Sequence, residues 1–516
     1  MIVASLVQLT QDNVEKLNNN KIYLIDYFED MYREMYDTFP ELKPFDGIFD
    51  NRVRNRGLRS YNGTSYDIKE FDRIRELAEP AVFIIVSGYY EDDYAELQRY
   101  DIPDIVDQTV YYYANKNTFI YKGYLEKYME TPLENIVVFR SGPGSAEYAK
   151  GTDYSDNSRA LFEHMISNGY DRKWEMVWLV KYPEEFTSES VKYPGVDFIS
   201  YDWAESEDAD KQDRYYRVIC LAKFFFFTDA CAFCRYPREG QVRVQLWHGC
   251  GYKKRKQNDI CANKYEYMPV SSEVYADIHS KVFGLGDGQM MITGYPKQDW
   301  VFHPIADWHE RLGVPYVDKY IFWLPTYRKV NGRGSDMSSD TLNTGTGLPI
   351  IDTEDELVEM NEYLRSNDIV LFIKLHPIQS AEDIKVRELS NIVIMDNKAF
   401  SEASIHVNSI MAYASGLLCD YSSAIVDYLL LDRPIGVTTD DLENYQKERG
   451  FVFDNINDWL PGIIITKFDE LIDFIGKVCA GEDPGCEIRH RISGKMNKYR
   501  DDGSCERILD RLGVTR

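Results

Sequence analysis

The chain has 516 residues, of which 44% are apolar and 14% aromatic, and its formal net charge is -26. This composition predicts a globular protein of about three domains and excludes an intrinsically disordered chain. The negative charge argues against nucleic acid as the main partner, because nucleic-acid binding needs a basic surface.

Several features predict a soluble cytoplasmic protein. No apolar run approaches the roughly 18 residues of a membrane-spanning helix, and the N-terminus lacks the basic start of a targeting signal. The nine cysteines are scattered, as expected of reduced thiols. Only Cys231 and Cys234 form a C-x-x-C pair, and no second pair lies at zinc spacing. We therefore expect neither a metal nor a cofactor.

Residues 1–130 are predicted to form a small Rossmann-like α/β domain. Apolar runs at 21–25, 47–50 and 80–86 predict strands, and residues 30–39 predict a helix. Asp50 falls where a ribose-binding acid would lie. However, the segment after the first strand contains no glycine, so a pyrophosphate could not approach the helix closely. We expect a degenerate accessory domain with a structural or docking role.

Two further α/β domains are predicted, at residues 131–288 and 289–516. The first has predicted strands at 133–139, 175–180, 197–201, 224–229 and 242–247 and helices at 158–168 and 215–223. The second has predicted strands at 290–293, 320–324, 369–375, 391–395, 412–419 and 434–437. Alternating helices favour two doubly wound domains that face each other, with C-terminal helices that cross back. A long polar insertion at 329–351 is typical of a functional or disordered loop.

Two histidines end strand-like runs at the position where open α/β sheets bind ligands. His248 follows the run at 242–247, His376 follows the run at 369–375, and Asp420-Tyr-Ser-Ser423 follows a third. A single histidine near a strand is usually structural, but two with a serine-rich helix start favour an anionic, phosphorylated substrate. The basic run that begins at Lys253 either attracts this substrate or is a solvated turn.

The order of six motifs gives the chain a family resemblance. They are Trp247-His-Gly249 with a lysine pair, Thr293-Gly-Tyr-Pro296, Leu324-Pro-Thr-Tyr-Arg328, Lys374-Leu-His-Pro377, Asp420-Tyr-Ser-Ser423 with Asp427, and Glu448-Arg-Gly-Phe451. Together with Tyr154-Ser-Asp-Asn157, they resemble the CDP-glycerol glycerophosphotransferase family of teichoic-acid primases and polymerases over about residues 133–480. The resemblance implies a GT-B-like pair of Rossmann domains, with the acceptor on residues 131–288 and the CDP-alditol donor on 289–516.

The resemblance also implies roles for individual residues. His248 matches the family's catalytic base, which suits a neutral imidazole near pH 7. His376 matches its second essential histidine, which we expect to contact the pyrophosphate. The expected donor-binding residues are Arg328, Lys374, Ser422, Ser423, Asp427 and Arg449. The expected acceptor-side residues are Gly249, Lys253 and Asn157.

Some of these positions have ordinary structural alternatives. Ser422 and Ser423 suit the N-cap of a helix over 424–431, where they would either cap the helix or help to hold a phosphate. Asp427, inside that helix, would repel a phosphate, so we expect it to bind ribose hydroxyls. Arg328 and Arg449 would clamp phosphate or form surface ion pairs.

The expected function is transfer of glycerol phosphate or ribitol phosphate from a CDP-alditol to a hydroxyl of a cell-surface polymer or lipid-linked acceptor, with release of CMP. Two alternatives stay open: a GT-B glycosyltransferase that uses a nucleotide sugar for surface polysaccharide, and a non-catalytic assembly scaffold. Cys250-Gly-Tyr252 replaces the family's usual Thr-Pro-Leu, and Ile378 replaces a residue that is often polar. These departures put the acceptor in question, and no motif separates glycerol from ribitol.

The resemblance implies peripheral contact with the inner face of the plasma membrane. The tyrosine-rich stretch at 111–128 is the best candidate for such a contact. Core packing of a tyrosine-rich helix is the alternative explanation.

Overall fold

The computed structural model describes residues 5–51, 57–61, 63–142, 153–228, 232–254, 265–286, 288–326, 346–375, 389–448 and 450–516. The chain divides into two compact units. The first contains residues 1–131 with residues 204–220, and the second contains almost all of the rest. The further division of the second unit into domains 131–288 and 289–516 stays a prediction, although each half carries its own large sheet.

A parallel five-stranded sheet forms the centre of the first unit. Its strands are β1 (Ser5–Gln8), β2 (Lys21–Ile25), β3 (Gly47–Phe49), β6 (Ala81–Val86) and β7 (Val106–Tyr113), and a separate hairpin contains β4 (Gly57–Tyr61) and β5 (Thr64–Ile68). The sheet order is β1-β7-β6-β2-β3. All six residues of the central strand β6 are buried, as expected for a strand covered on both faces.

The helices of this unit are α1 (Gln11–Leu17), α2 (Glu29–Thr38), α3 (Tyr90–Leu97), α4 (Lys116–Tyr128) and most of α7 (Ala209–Leu221). The tyrosine-rich stretch is therefore not one helix, because its first part is the end of β7. In its helical part, Tyr124 stacks on Tyr216 with ring centroids 4.6 Å apart, and Tyr121 lies 5.4 Å from the same ring. These contacts favour the core-packing explanation for the tyrosines.

The predicted ribose acid Asp50 has an internal partner. Its side chain is fully buried, and its carboxylate accepts a hydrogen bond from the backbone N–H of Tyr27 at 2.8 Å. Asp50 follows β3 and Tyr27 follows β2, so this bond ties the carboxyl ends of two neighbouring strands. The acid at this position therefore stabilises the fold of the first unit.

The first sheet of the second unit contains β8 (Ile136–Arg140), β9 (Glu175–Val180), β10 (Val196–Ser200), β11 (Phe224–Phe227) and β12 (Val242–Gln245). All of them are parallel, in the order β10-β9-β8-β11-β12. Strands β9 and β10 are added on one side of β8, and β11 and β12 on the other. The switch point, where such sheets bind ligands, therefore lies between β8 and β11. The C-terminal residues Cys505, Ile508 and Leu509 belong to the core of this sheet.

One strand lies in a different sheet from the one predicted. The run at 290–293 was assigned to the last domain, but β14 (Met290–Ile292) pairs with β13 (Met268–Val270) in a separate two-stranded parallel sheet. Met291 packs into the core of the first sheet. The apolar run predicted the strand correctly, but a strand of three residues carries no information about its partner.

The second sheet contains β15 (Lys319–Leu324), β16 (Ile369–Lys374), β17 (Ile392–Met395), β18 (Ala414–Cys419), β19 (Ile435–Thr438) and β20 (Ile463–Ile465). Its parallel order is β17-β16-β15-β18-β19-β20, with the switch point between β15 and β18. Both large sheets are doubly wound, and the predicted α/β fold class is confirmed.

Twelve helices are described in the second unit: α5 (Asp156–Ser167), α6 (Thr187–Lys192), α8 (Glu273–Phe283), α9 (Pro296–Asp299), α10 (Trp308–Leu312), α11 (Glu354–Ser366), α12 (Asn397–Glu402), α13 (Ala424–Tyr428), α14 (Leu442–Glu448), α15 (Phe468–Cys479), α16 (Cys486–Met496) and α17 (Ser504–Leu512). Among the described residues of the whole chain, no helix is both long enough and apolar enough to cross a bilayer.

Candidate active site

His248 lies at the carboxyl edge of the first sheet, in a loop with unusual backbone angles. It follows β12, between Trp247 with φ of 52° and Gly249 with φ of 115°. Asp156, the first residue of α5, also has a positive φ, of 54°. Such angles cost a non-glycine residue roughly 1–3 kcal/mol and cluster at functional sites. The rest of the fold therefore holds Trp247, which precedes His248, and Asp156 in backbone geometries that non-glycine residues disfavour.

The His248 imidazole is paired with the Asp156 carboxylate. Nδ1 of His248 lies 2.7 Å from Oδ2 of Asp156, and the histidine side chain is 46% exposed. Because a carboxylate only accepts hydrogen bonds, this contact places a proton on Nδ1. The neutral ring then carries its lone pair on Nε2, where it can accept a proton from a substrate.

Lys297, from α9, holds the other side of this pair. Its Nζ lies 3.1 Å from Oδ1 of Asp156 and donates to the backbone carbonyl of His248 at 2.5 Å. Burial alone would raise the pKa of Asp156, but Lys297 and then His248 hold it well below its usual range. Burial would likewise lower the pKa of Lys297, but Asp156 and Asp427 raise it. Asp156 and Lys297 therefore form a charged pair, and this pair fixes the carboxylate that orients His248.

Asn157 also fixes this loop. Its Nδ2 donates to the carbonyl of Trp247 at 2.8 Å, and its Oδ1 accepts from the backbone N–H of Lys297 at 3.0 Å. The side chain is fully buried. These bonds fix the loop that carries His248, and the expected acceptor-side role of Asn157 stays a prediction.

The loop that carries His248 passes beside the serine motif of the second sheet. A side chain at Gly249 would come within 3.8 Å of Cβ of Ser423, and one at Gly251 within 3.5 Å. Further along, Lys253 forms an antiparallel bridge with Phe451, and Lys254 N–H donates to the carbonyl of Gly450 at 2.9 Å. Motifs that are far apart in the sequence therefore meet here.

Asp420 and Thr326 join the two strands at the switch point of the second sheet. Oδ2 of Asp420 accepts from the backbone N–H of Thr326 at 2.9 Å and from its hydroxyl at 2.7 Å. Asp420 is fully buried and follows β18, whereas Thr326 follows β15. This contact fixes the strand ends on which the serine motif stands.

The two serines differ from the expected caps. Ser423 occupies the N-cap position of α13, but its side chain makes no capping bond, whereas Oγ of Ser422 accepts from the backbone N–H of Ala424 at 3.3 Å. The α-helix itself ends at Tyr428, and a 3₁₀ turn completes the segment predicted as helix. The Ser423 hydroxyl is thus left available beside the His248 loop.

Asp427 has internal partners for both of its carboxylate oxygens. Oδ1 accepts from Nε2 of Gln298 at 2.9 Å, and Oδ2 accepts from Nδ2 of Asn408 at 3.1 Å. Burial raises its pKa above the ordinary value, despite the nearby charge of Lys297. Only 3% of the residue is exposed. These contacts make Asp427 a support for the Lys297 segment, and its expected contact with ribose stays a prediction.

Comparison with protein families agrees with this arrangement of motifs. Residues 134–513 match the family described as CDP-Glycerol:Poly(glycerophosphate) glycerophosphotransferase. This match covers well over half of the chain, including both large sheets of the second unit. The chain belongs to this family. The predicted resemblance is thereby confirmed, and so is the assignment to the CDP-alditol phosphotransferases.

Individual relatives of this chain support the same assignment. The teichoic acid glycerol-phosphate primase of Bacillus subtilis is 26% identical over 389 residues, which covers 69% of this chain and 89% of the relative. The teichoic acid ribitol-phosphate primase of Bacillus spizizenii is 26% identical over 322 residues, or 57% of this chain and 74% of the relative. Glycerol and ribitol enzymes are therefore similar to this chain at equal identity.

Solved structures share the fold. A structure of the wall teichoic acid polymerase TagF, in its H548A form, aligns with a TM-score of 0.57 and 20% identity, covering 76% of this chain and 93% of that one. Another TagF structure gives a TM-score of 0.57 at 18% identity, covering 77% and 93%. At this identity, the likeness is one of fold.

Three of the predicted site residues, namely His376, Arg328 and Arg449, lie outside the described residues. Lys374 is described at the end of β16. Its Nζ lies 5.1 Å from the ring centre of Phe400 and donates to the carbonyl of Leu375 at 3.3 Å. Burial lowers the pKa of Lys374 to about 8, against the opposing effect of Asp396.

Sequence reasoning missed three residues of this cluster: Asp156, Lys297 and His406. Asp156 lies inside the motif at 154–157, but the role there was assigned to Asn157. The His406 ring lies against Trp300, with ring centroids 5.0 Å apart, and its Nδ1 accepts from the backbone N–H of Asn408. Burial and then Lys297 lower its pKa to about 3, so its ring is neutral. The sequence signal for Lys297 was its place directly after Thr293-Gly-Tyr-Pro296.

Proposed function

We propose that this protein transfers glycerol phosphate or ribitol phosphate from the matching CDP-alditol to a hydroxyl of a cell-surface polymer or lipid-linked acceptor, with release of CMP. The observation that carries the proposal is the pairing of His248 with Asp156, on a loop that touches the serine motif of the second sheet. The proposed base, His248, therefore lies beside the predicted phosphate-binding serine motif. The family to which the chain belongs is described by glycerophosphate transfer from CDP-glycerol.

In the proposed reaction, Nε2 of His248 takes the proton of the acceptor hydroxyl. The hydroxyl oxygen attacks the distal phosphorus of the donor, a new P–O bond forms, and the P–O bond to CMP breaks. The Asp156 carboxylate keeps the proton on Nδ1 and stabilises the imidazolium that forms. Lys297 holds that carboxylate in place and is a positioning residue.

On the donor side, Ser423 and Lys374 are proposed to hold phosphate oxygens, and the expected roles of Ser422, His376, Arg328 and Arg449 stay predictions. A partly protonated Lys374 supplies positive charge near the end of β16. Gly249 leaves the space beside His248 open, and Lys253 is proposed to face the acceptor from the same loop.

Donor class is tested by ligand binding and by turnover. We expect CDP-glycerol or CDP-ribitol to raise the melting temperature more than UDP-sugars or GDP-sugars do, because a ligand that binds only the native state stabilises it. Release of CMP should require a CDP-alditol and an acceptor hydroxyl. Equal thermal shifts with all nucleotides, or CMP release from a CMP-sugar instead, would contradict the proposal.

The proposed place of action is the inner face of the plasma membrane, with peripheral contact. The net charge of -26 should repel anionic lipid, so any attachment must be local or through a partner. We expect weak association with vesicles that contain phosphatidylglycerol, and we expect it to be lost at high salt. A flotation assay checks this expectation, and tight binding that survives high salt would contradict it.

A further inference from the structure

Arg140 ends β8 at the switch point of the first sheet, and its guanidinium lies close to two aromatic rings. Its Cζ is 4.8 Å from the ring centre of Tyr201, which follows β10, and 5.3 Å from that of Phe233, which follows β11. Arginine stacks favourably on aromatic faces. The rings cover the guanidinium, so they hold it over the carboxyl edge of the sheet.

This guanidinium has no anionic partner in the described part of the chain. Its Nε is buried and lacks a hydrogen-bond partner, and no described carboxylate lies within ion-pair distance. The nearby Asp153 accepts a hydrogen bond from the backbone N–H of Lys181 at 2.6 Å and is itself buried. An arginine that is stacked and held but unpaired is unusual, because buried donors are normally satisfied.

The backbone of Arg140 is tied to the catalytic pair. Its carbonyl accepts from the hydroxyl of Ser158 at 2.8 Å, and Oγ of the next residue, Ser141, donates to the carbonyl of Ser155. Ser155 and Ser158 flank Asp156. Arg140 and His248 also stand at the same edge of one sheet, on strands separated by β11, which places the strand axes roughly 10 Å apart.

We propose that Arg140, held by Tyr201 and Phe233, binds a phosphate ester of the acceptor while the acceptor hydroxyl lies at His248. Guanidinium groups bind phosphate through two parallel N–H bonds, which suits a group without an ion-pair partner among the described residues. Lys181 adds positive charge at the end of β9. The inference rests on the proposed function and gives the acceptor a chemical class, because a neutral polyol would leave Arg140 unpaired.

The test compares two synthetic acceptors, one ending in glycerol phosphate and a matched one ending in uncharged glycerol. In the kinetic assay, Arg140→Gln should raise the KM for the phosphorylated acceptor by about 10- to 100-fold, as expected for loss of a charge-assisted contact. The KM for CDP-glycerol and the KM for the neutral acceptor should not change. Arg172→Gln, an exposed arginine at the opposite edge of the same sheet, is the matched control.

Direct binding of the phosphorylated acceptor, measured by calorimetry, separates this inference from the proposed function. If no variant turns over a CDP-alditol, the proposed function fails, but the calorimetry still decides the role of Arg140. Equal affinity in the wild type and Arg140→Gln would overturn the inference. If Arg140→Gln does not fold, Arg140→Lys keeps the charge but loses the planar fork, and it should bind several-fold more weakly. Wild-type affinity in Arg140→Lys would also overturn it.

Discussion

The carboxyl edge of one parallel sheet in each unit carries an aspartate, and the two aspartates have different roles. In the first unit, Asp50 accepts a bond from the backbone N–H of Tyr27 and joins two strand ends. In the second unit, Asp156 pairs with the half-exposed imidazole of His248 and with Lys297. The shared fold does not decide function, which depends on the group that each carboxylate holds.

The largest expected effect tests whether His248 acts as the base. His248→Ala should lower kcat by about 10³-fold, because general-base catalysis contributes on that scale. Its affinity for CDP-glycerol should be unchanged, since a base acts in the transition state. Steady-state kinetics and calorimetry measure the two quantities. Loss of donor binding in a folded variant would show that the role is misassigned.

A second, smaller effect is expected at Asp156. Asp156→Asn should lower kcat by about 10²-fold, because a partner that orients a histidine typically contributes 10- to 100-fold. The matched control is Asp427→Asn, a buried acid near the same lysine whose partners are the neutral Gln298 and Asn408. The loss in the control should be clearly smaller. Equal losses in the two variants would mean that burial of an acid, and not contact with His248, explains the effect.

Lys374 should make donor affinity depend on pH. Because its pKa is about 8, it is mostly protonated at pH 7 and mostly neutral at pH 9. Affinity for the anionic donor should therefore fall by about tenfold as the pH rises through this range. Lys374→Met should bind weakly at both pH values. Lys319→Met, at the other end of the neighbouring strand β15, is the control. A flat profile in the wild type would exclude Lys374 from the donor site.

The smallest effect on catalysis is expected at Asp50. Asp50→Ala should leave kcat and KM unchanged but should destabilise the first unit by about 1–3 kcal/mol, because a buried backbone N–H loses its acceptor. Hydrogen exchange in β2 and β3 would report the loss locally. If kcat fell in Asp50→Ala while hydrogen exchange stayed the same, the first unit would take part in catalysis. Asp50 and Asp156 would then no longer differ in role.

Much of the fold could be predicted from the sequence. Runs of Val, Ile, Leu and Phe predicted β2, β6, β9, β15, β16 and β18 to within one or two residues, because strands buried on both faces have a continuous apolar signature. Short strands could be predicted less well from the sequence. The partner of β14 and the existence of β1 depend on packing between segments, and neither leaves a local pattern.

The candidate site was predicted only in part, for a similar reason. The position of His248 followed from a strand end, a glycine and a family motif. Its partners did not, because Asp156 lies 92 residues away and Lys297 reaches the site from a four-residue helix. Asn157 and Asp427 carry polar groups that suit ligand binding, but both are buried with internal partners, which no local sequence pattern predicted. Whether a polar residue faces the ligand or the core is decided by tertiary packing.

The tautomer of His248 tests the central claim most directly. Selective ¹⁵N labelling of the eight histidines allows the ring nitrogens to be read by NMR, and His248→Gln identifies the resonances of this residue by their absence. When the ring is neutral, the pairing with Asp156 predicts the proton on Nδ1 and a free Nε2, and it predicts that Asp156→Asn disturbs this tautomer. A proton on Nε2 in the wild-type neutral ring would contradict the assignment of His248 as the base.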